Sequence, residues 1–330
     1  MTSSDIKTLI VGCGNIAGGF DMGQGGLPST HAGAYRHHGK FNITACVDPD
    51  KKKLEQFSAN WKVKHTFSNM EEVKTSGLDF DAVSICSPTS CHRVDVREAL
   101  KLKPKLIFCE KPLANTYEES VDIKNMCEKA EVLLAVNHTR RWDPKVIELR
   151  NDIATGGLGE VRSLVGYYNK GVLNNGSHMV DLLLNLFGSL NVVMAISAVN
   201  DYFKDDPTVT ALLDINSVLP VHLVAAHASD YALFELEIIG SKKTITMRDG
   251  GLNWSSRKIV KNPRFKGYKN LAKDQYSESK YSEAMIGAAE NIYNAITVGE
   301  QLLCTGHEAC AAHKICRDLS EMALLNSNSR

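Results

Sequence analysis

Between Ile6 and Val136, short apolar runs alternate with longer amphipathic stretches, the pattern of strands and crossover helices in a parallel α/β sheet. The predicted strands are 8–11, 43–47, 82–86, 106–109 and 133–136, rich in Val, Ile and Leu as strands covered on both faces must be. Residues 55–61, 93–100 and 117–130 have the spacing of helices that pack on such a sheet. After Trp142-Asp143-Pro144 the character changes to one amphipathic helix ending at Ala154, a Gly156-Gly157 break, and then strand-like runs. The runs 161–168, 192–199, 209–215, 222–228, 233–239 and 244–247 read as antiparallel neighbours joined by short turns. Phe234, Leu236 and Ile238 alternate with Glu235 and Glu237, so one face of that sheet is expected to be packed and the other to meet water or a partner. Helices over 282–297 and 307–325 close the chain, and the Ser-Asn-rich last residues read as frayed.

These patterns predict two domains, an α/β Rossmann domain over 1–136 and an α+β domain over 137–330 built on a large, mainly antiparallel open sheet. A length of 330 residues and a hydrophobic fraction of 43% are sufficient for two packed cores. Lys+Arg and Asp+Glu balance at 38 each, which removes any net field toward nucleic acid or an anionic membrane. The start, Met1 to Asp5, is polar and no apolar run reaches the roughly 20 residues of a membrane span, so the expected location is the cytoplasm. The nine cysteines form no CxxC pair, and Cys304, Cys310 and Cys316 recur at an interval that is not a helical face. No metal site is expected.

The chemistry begins at Gly12-Cys13-Gly14-Asn15-Ile16-Ala17, which follows the first strand and opens a helix. Gly12 permits a tight turn, Gly14 admits a pyrophosphate against the backbone, and Ala17 lets helix pack closely on strand. Asp48, at the end of the second strand, has the place of a carboxylate that accepts from an adenosine ribose diol. That carboxylate favours NAD, while Lys51, Lys52 and Lys53 keep NADP open. The distance from Gly14 to Asp48 is lengthened by a glycine-rich insertion over 18–30, a surface loop or a lid.

Further motifs follow in order: Ser87-Pro88-Thr89-Ser90-Cys91-His92 after the third strand and Glu110-Lys111-Pro112 after the next. With the fingerprint, they make the chain resemble the glucose-fructose oxidoreductase, inositol dehydrogenase and MocA (Gfo/Idh/MocA) family over nearly its whole length. Asn137 through Arg141-Trp142-Asp143-Pro144 is similar to that family's domain junction. The stretch Glu237 to Lys242 is similar to its second-domain strand-turn signature, with Lys243 replacing the usual glycine. The resemblance implies that Ser87, Pro88, Thr89, His92 and Glu110 join Gly12, Gly14, Asn15, Ile16, Ala17 and Asp48 around the cofactor. It implies that Lys111 touches both cofactor and substrate, on a turn that commonly carries a cis X-Pro bond.

Gly171 through Asp181 resembles the family's aspartate-xxx-histidine helix, which makes His178 the base for a substrate hydroxyl. Asn174 occupies the position where aspartate is common, and an asparagine can orient the His178 imidazole but cannot stabilise its charged form as a carboxylate would. The implied activity is NAD(P)-dependent hydride transfer at a secondary alcohol or ketone of a sugar, nucleotide sugar or polyol. Candidate substrate contacts are Tyr167, Tyr168, Asn169, Lys170 and Asn175 for hydroxyls, with Arg140, Arg141 or Lys170 for a phosphate or carboxylate. A homodimer or homotetramer is expected, with neither nucleic acid nor membrane as partner. The alternative is a catalytically silent dinucleotide- or sugar-binding regulatory protein, for which Asn174 is the sign.

Overall fold

The computed structural model describes residues 5–23 and 25–327. Gln24 of the insertion, the first four residues and the last three of the Ser-Asn-rich end lie outside that description. The chain divides into two compact units, Met1–Asp143 with Ser282–Cys310, and Pro144–Tyr281 with Ala311–Arg330.

The first unit is a parallel sheet wound on both faces. Its elements run β1 (Ile6–Val11), α1 (His31–His38), β2 (Phe41–Val47), α2 (Lys51–Trp61), β3 (His65–Phe67), α3 (Met70–Thr75), β4 (Ala82–Ile85), α4 (Thr89–Leu100), β5 (Leu106–Cys109), α5 (Tyr117–Lys129) and β6 (Leu133–Val136). The strand order is β3-β2-β1-β4-β5-β6, all parallel. β4 and β5 are buried at every position, as their continuous apolar runs require. The edge strand β3 was not apparent from the hydrophobic pattern, because His65-Thr66-Phe67 is exposed or half-buried throughout and carries no alternation.

The second unit opens with α6 (Pro144–Ala154), β7 (Val161–Tyr168), α7 (Gly176–Phe187), β8 (Asn191–Phe203), β9 (Asp206–Ile215) and β10 (Leu219–Ala225). It continues through β11 (Phe234–Gly240), β12 (Lys243–Arg248), β13 (Asn253–Lys261), β14 (Lys269–Leu271) and β15 (Gln275–Ser277). Nine strands form one sheet in the order β14-β13-β12-β11-β7-β10-β9-β8, with β15 on β13. One neighbour pair departs from the antiparallel expectation. β10 lies parallel to β7, because the chain crosses through α7 and the β8–β9 hairpin before returning beside it. The packed face is the expected one, with Phe234, Leu236 and Ile238 buried among Leu164, Leu223 and the α7 leucines. Two last helices follow, α8 (Ala284–Val298), which packs with the first core, and α9 (Gly306–Ser327).

Candidate dinucleotide and active site

Three turns stand side by side at the carboxyl edge of the parallel sheet, after β1, β4 and β5. The strand order reverses between β1 and β4, and such a switch point is where an open α/β sheet leaves a crevice.

In the first turn Gly12 has φ +88°, and a Cβ there would come 2.6 Å from the Ser87 nitrogen. Only glycine lets the first turn lie against the second. The Asp48 carboxylate ties β2 to this turn, accepting from the Cys13 N–H at 2.7 Å and, through its other oxygen, from the Asp50 N–H at 2.8 Å. Each oxygen keeps a further lone pair for a diol. A Cβ on Gly14 would meet nothing within 4 Å, so the backbone there faces open space. Gly18 and Gly19 donate to the Gly14 carbonyl at 3.3 and 3.2 Å, forming a helical turn whose first N–H groups have no acceptor within the helix. Open backbone beside unpaired N–H groups fits a pyrophosphate.

The insertion leaves this turn and comes back to it. His31 donates to the Ile16 carbonyl at 3.2 Å and Ala32 to the Ala17 carbonyl at 2.9 Å, so α1 resumes the helix that the fingerprint began. Asp21 closes the excursion, accepting the N–H and hydroxyl groups of both Ser29 and Thr30 within 3.1 Å. Burial alone would push its carboxyl up, but these bonds outweigh burial and hold it below the usual aspartate range. Thr30 in turn caps α1 by accepting from the Gly33 N–H at 3.1 Å.

In the second turn the Ser87 hydroxyl donates to Asp95 at 2.5 Å. His92 is 1% exposed, and its ring faces main-chain carbonyls of both the second and third turns. Its side chain is not displayed to a ligand, which removes the expected direct contact with cofactor.

The third turn carries Glu110 and Lys111, with a cis Lys111–Pro112 bond. Glu110 is buried, and one of its oxygens accepts from His31 Nε2 at 2.8 Å and Asn137 Nδ2 at 2.6 Å. Its other oxygen accepts from the Lys111 N–H at 3.3 Å. Burial raises this carboxyl, but the bond and charge of His31, the Asn137 amide and the Lys111 charge outweigh it, so Glu110 is held below the usual glutamate range. It is therefore a fixed anion adjacent to Lys111. Arg141 is 8% exposed, and its Nη1 donates to the Leu303 carbonyl at 3.1 Å.

In the second unit, Lys170 has φ +65° and leads into a wide turn, Gly171–Asn175, that opens α7. Asp206 at the start of β9 holds this turn, accepting from the Leu173 and Asn174 N–H groups at 2.8 Å each. A Cβ on Gly171 would collide with the same carboxylate. Burial pushes the Asp206 carboxyl up against these bonds. Asp201 accepts from the Lys170 N–H at 2.9 Å. The Asn174 side-chain nitrogen donates to the Lys170 carbonyl at 3.0 Å and that of Asn175 to the Asn169 carbonyl at 2.9 Å. His178 is half-buried in the first turn of α7, edge-on to Phe234.

Tyr168 requires a correction. It is wholly buried, and its hydroxyl both donates to the Val209 carbonyl at 2.8 Å and accepts from the Val209 N–H at 2.9 Å. It is a core residue and not a substrate contact. Asp21, His31, Asp95, Asp201 and Asp206 were given no role from the sequence, and Asn137 entered only as part of the domain junction. Their partners lie at separations that no strand or helix period marks.

Residues 6–138 match the family described as "Oxidoreductase family, NAD-binding Rossmann fold". Over those residues the chain is similar to the Gfo/Idh/MocA oxidoreductases. It is 26% identical over 230 residues to an uncharacterized oxidoreductase of Schizosaccharomyces pombe, a match covering 60% of this chain and 59% of that protein. It is 24% identical over 315 residues to the inositol 2-dehydrogenase of Rhizobium meliloti (strain 1021), covering 88% of this chain and 92% of that one. Among solved structures, an Agrobacterium radiobacter oxidoreductase in complex with NAD+, L-tartaric acid and magnesium superposes with a TM-score of 0.74 at 17% identity, over 99% of this chain and 98% of the other. Among the described residues no cluster of three or more His, Cys, Asp or Glu is placed to hold a metal ion, and no helix is long and apolar enough to cross a membrane.

Proposed function

We propose that this chain is a Gfo/Idh/MocA-type oxidoreductase that transfers a hydride between a nicotinamide and a secondary carbinol carbon of a sugar, nucleotide sugar or polyol, with Lys111 and His178 handling the hydroxyl proton. The observation that supports this most is the E-K-P turn, in which Lys111 follows a buried carboxylate at the same sheet edge as the Gly12–Ala17 cradle. When bound, the nicotinamide supplies the hydride acceptor or donor.

Gly14 to Ala17 hold the pyrophosphate by backbone N–H groups and Asp48 takes the ribose diol, which favours NAD over NADP. The Lys111 ammonium stabilises the developing alkoxide at the substrate oxygen. The half-buried His178 ring receives the hydroxyl proton. Lys170, Asn175 and Arg141 remain candidate substrate contacts. The domain over 1–136 is assigned to the dinucleotide, and that over 137–330 to substrate and to oligomer contacts. Exposed Val193, Met194 and Ile196 on β8 support a homodimer or homotetramer, and the location assigned is the cytoplasm.

Asn174 favours a second reading, a silent dinucleotide-binding protein, because its amide nitrogen is tied to the Lys170 carbonyl and its side chain cannot carry the negative charge of an aspartate. Absorbance in the reduced-nicotinamide band, followed with NAD or NADP and a panel of polyols, sugars and nucleotide sugars, separates the two. Turnover with a panel member supports the dehydrogenase. NAD binding with no turnover anywhere on the panel supports the silent binder.

A further inference from the structure

The His92 ring lies between the second and third turns, with a carbonyl oxygen at each of its nitrogens. Nε2 stands 2.9 Å from the Ser87 oxygen, and Nδ1 stands 3.1 and 3.2 Å from the Pro112 and Leu113 oxygens. A carbonyl only accepts. A neutral imidazole has one N–H and one bare lone pair, so it satisfies one turn and sets a lone pair against the other. The doubly protonated ring satisfies both.

We infer that His92 is a positioning residue that clasps the Ser87–Thr89 turn to the Glu110–Leu113 turn by donating from both ring nitrogens at once, and so sets where Lys111 stands relative to the dinucleotide cradle.

The surroundings suit a charged ring. Asp95 lies one helical turn further along α4; burial pushes its carboxyl up, while the Ser87 hydroxyl at 2.5 Å and the charge of His92 act the other way and favour its ionised form. Ser87 thus receives His92 at its carbonyl and gives its hydroxyl proton to the ring's counter-charge. The turns clasped by the ring carry the Glu110 carboxylate and the Lys111 ammonium. The Cys86 and Cys109 thiols at the ends of β4 and β5 are pushed up by burial and stay uncharged. Because the ring is 1% exposed, water cannot take over a lost bond, and losing one donor leaves a carbonyl of one turn unpaired.

The Pro112 and Leu113 carbonyls follow directly on Lys111, so releasing them moves the lysine more than it disturbs the sheet. The inference deepens the proposed function only through Lys111. The ring's protonation and its effect on NAD binding rest on the dinucleotide fold alone.

The test is nitrogen-15 NMR of the histidine rings in the full chain with NAD added, at pH 7, with His92→Gln assigning the signal by its loss. Two protonated-type nitrogens at His92 are expected, and a single neutral tautomer would overturn the double clasp. Titration of NAD then reads the consequence. His92→Gln, whose amide reaches one turn only, is expected to weaken NAD binding about tenfold, as loss of one buried hydrogen bond implies, and His92→Phe more. On a substrate from the panel, kcat falls further than KM changes. Unaltered NAD affinity in folded His92→Phe would also overturn the clasp. If that variant fails to fold, the wild-type NMR signature decides alone. A protein that shows the NMR signature and binds NAD yet turns over nothing leaves the clasp standing and removes the dehydrogenase.

Discussion

Glu110 is the residue on which the first unit's site chemistry converges, since it is buried, ionised and bonded to His31, Asn137 and the Lys111 backbone. Its carboxyl is held below the unfolded value, so its ionisation adds stability above about pH 4.3, the ordinary glutamate value, and that contribution is lost as pH falls through the lower folded value. Melting temperatures of wild type and Glu110→Gln, measured from pH 7 downward, should therefore converge on the acid side, and a gap independent of pH would contradict the assignment. Local signals were readable at this scale. Gly12 and Lys111 are marked by their immediate neighbours in sequence, and the structure gives Gly12 the tight approach its motif demands. Tyr168 went the other way, although β7 contained the information. Leu164, Gly166 and Tyr168 share the buried side of an alternating strand, so the strand period alone places the ring inside. His31 was invisible because Glu110, its partner, lies on another strand turn.

Two elements carry features that propensity does not encode. The helix begun by the fingerprint is interrupted by a self-closed excursion and resumes at His31, which explains the long spacing to Asp48. Asp21→Ala removes the acceptor that closes it. Limited proteolysis should then cut within 22–28 several times faster while α1 stays protected, and unchanged cleavage would show that the closure lies elsewhere. The turn before α7 depends on Asp206 in the same way. Asp206→Ala leaves the Leu173 and Asn174 N–H groups without their acceptor, at a cost of about 2 kcal/mol in urea unfolding. Full stability in that variant would mean that the Gly171–Asn175 turn does not need the carboxylate. The parallel β7–β10 pair was not legible either, since strand direction depends on how the chain travels between two runs and not on the runs themselves.

At the scale of the whole molecule, the alternation of strands and helices up to Val136 and of strands beyond Ala154 was enough to indicate a parallel and a mainly antiparallel sheet, because each has its own hydrophobic period. The pattern did not reveal that the chain's end contributes to both compact units, a matter of long-range packing. We propose that a dinucleotide held at the β1–β4 switch point is used for hydride transfer with Lys111 and His178. The most direct test compares NAD affinity and reduced-nicotinamide turnover in wild type, Lys111→Ala and His178→Ala. NAD binding within a few-fold of wild type is expected in both variants, with kcat lowered by about a hundredfold or more. Wild-type turnover that survives both substitutions, or a wild type that binds no dinucleotide, would contradict it.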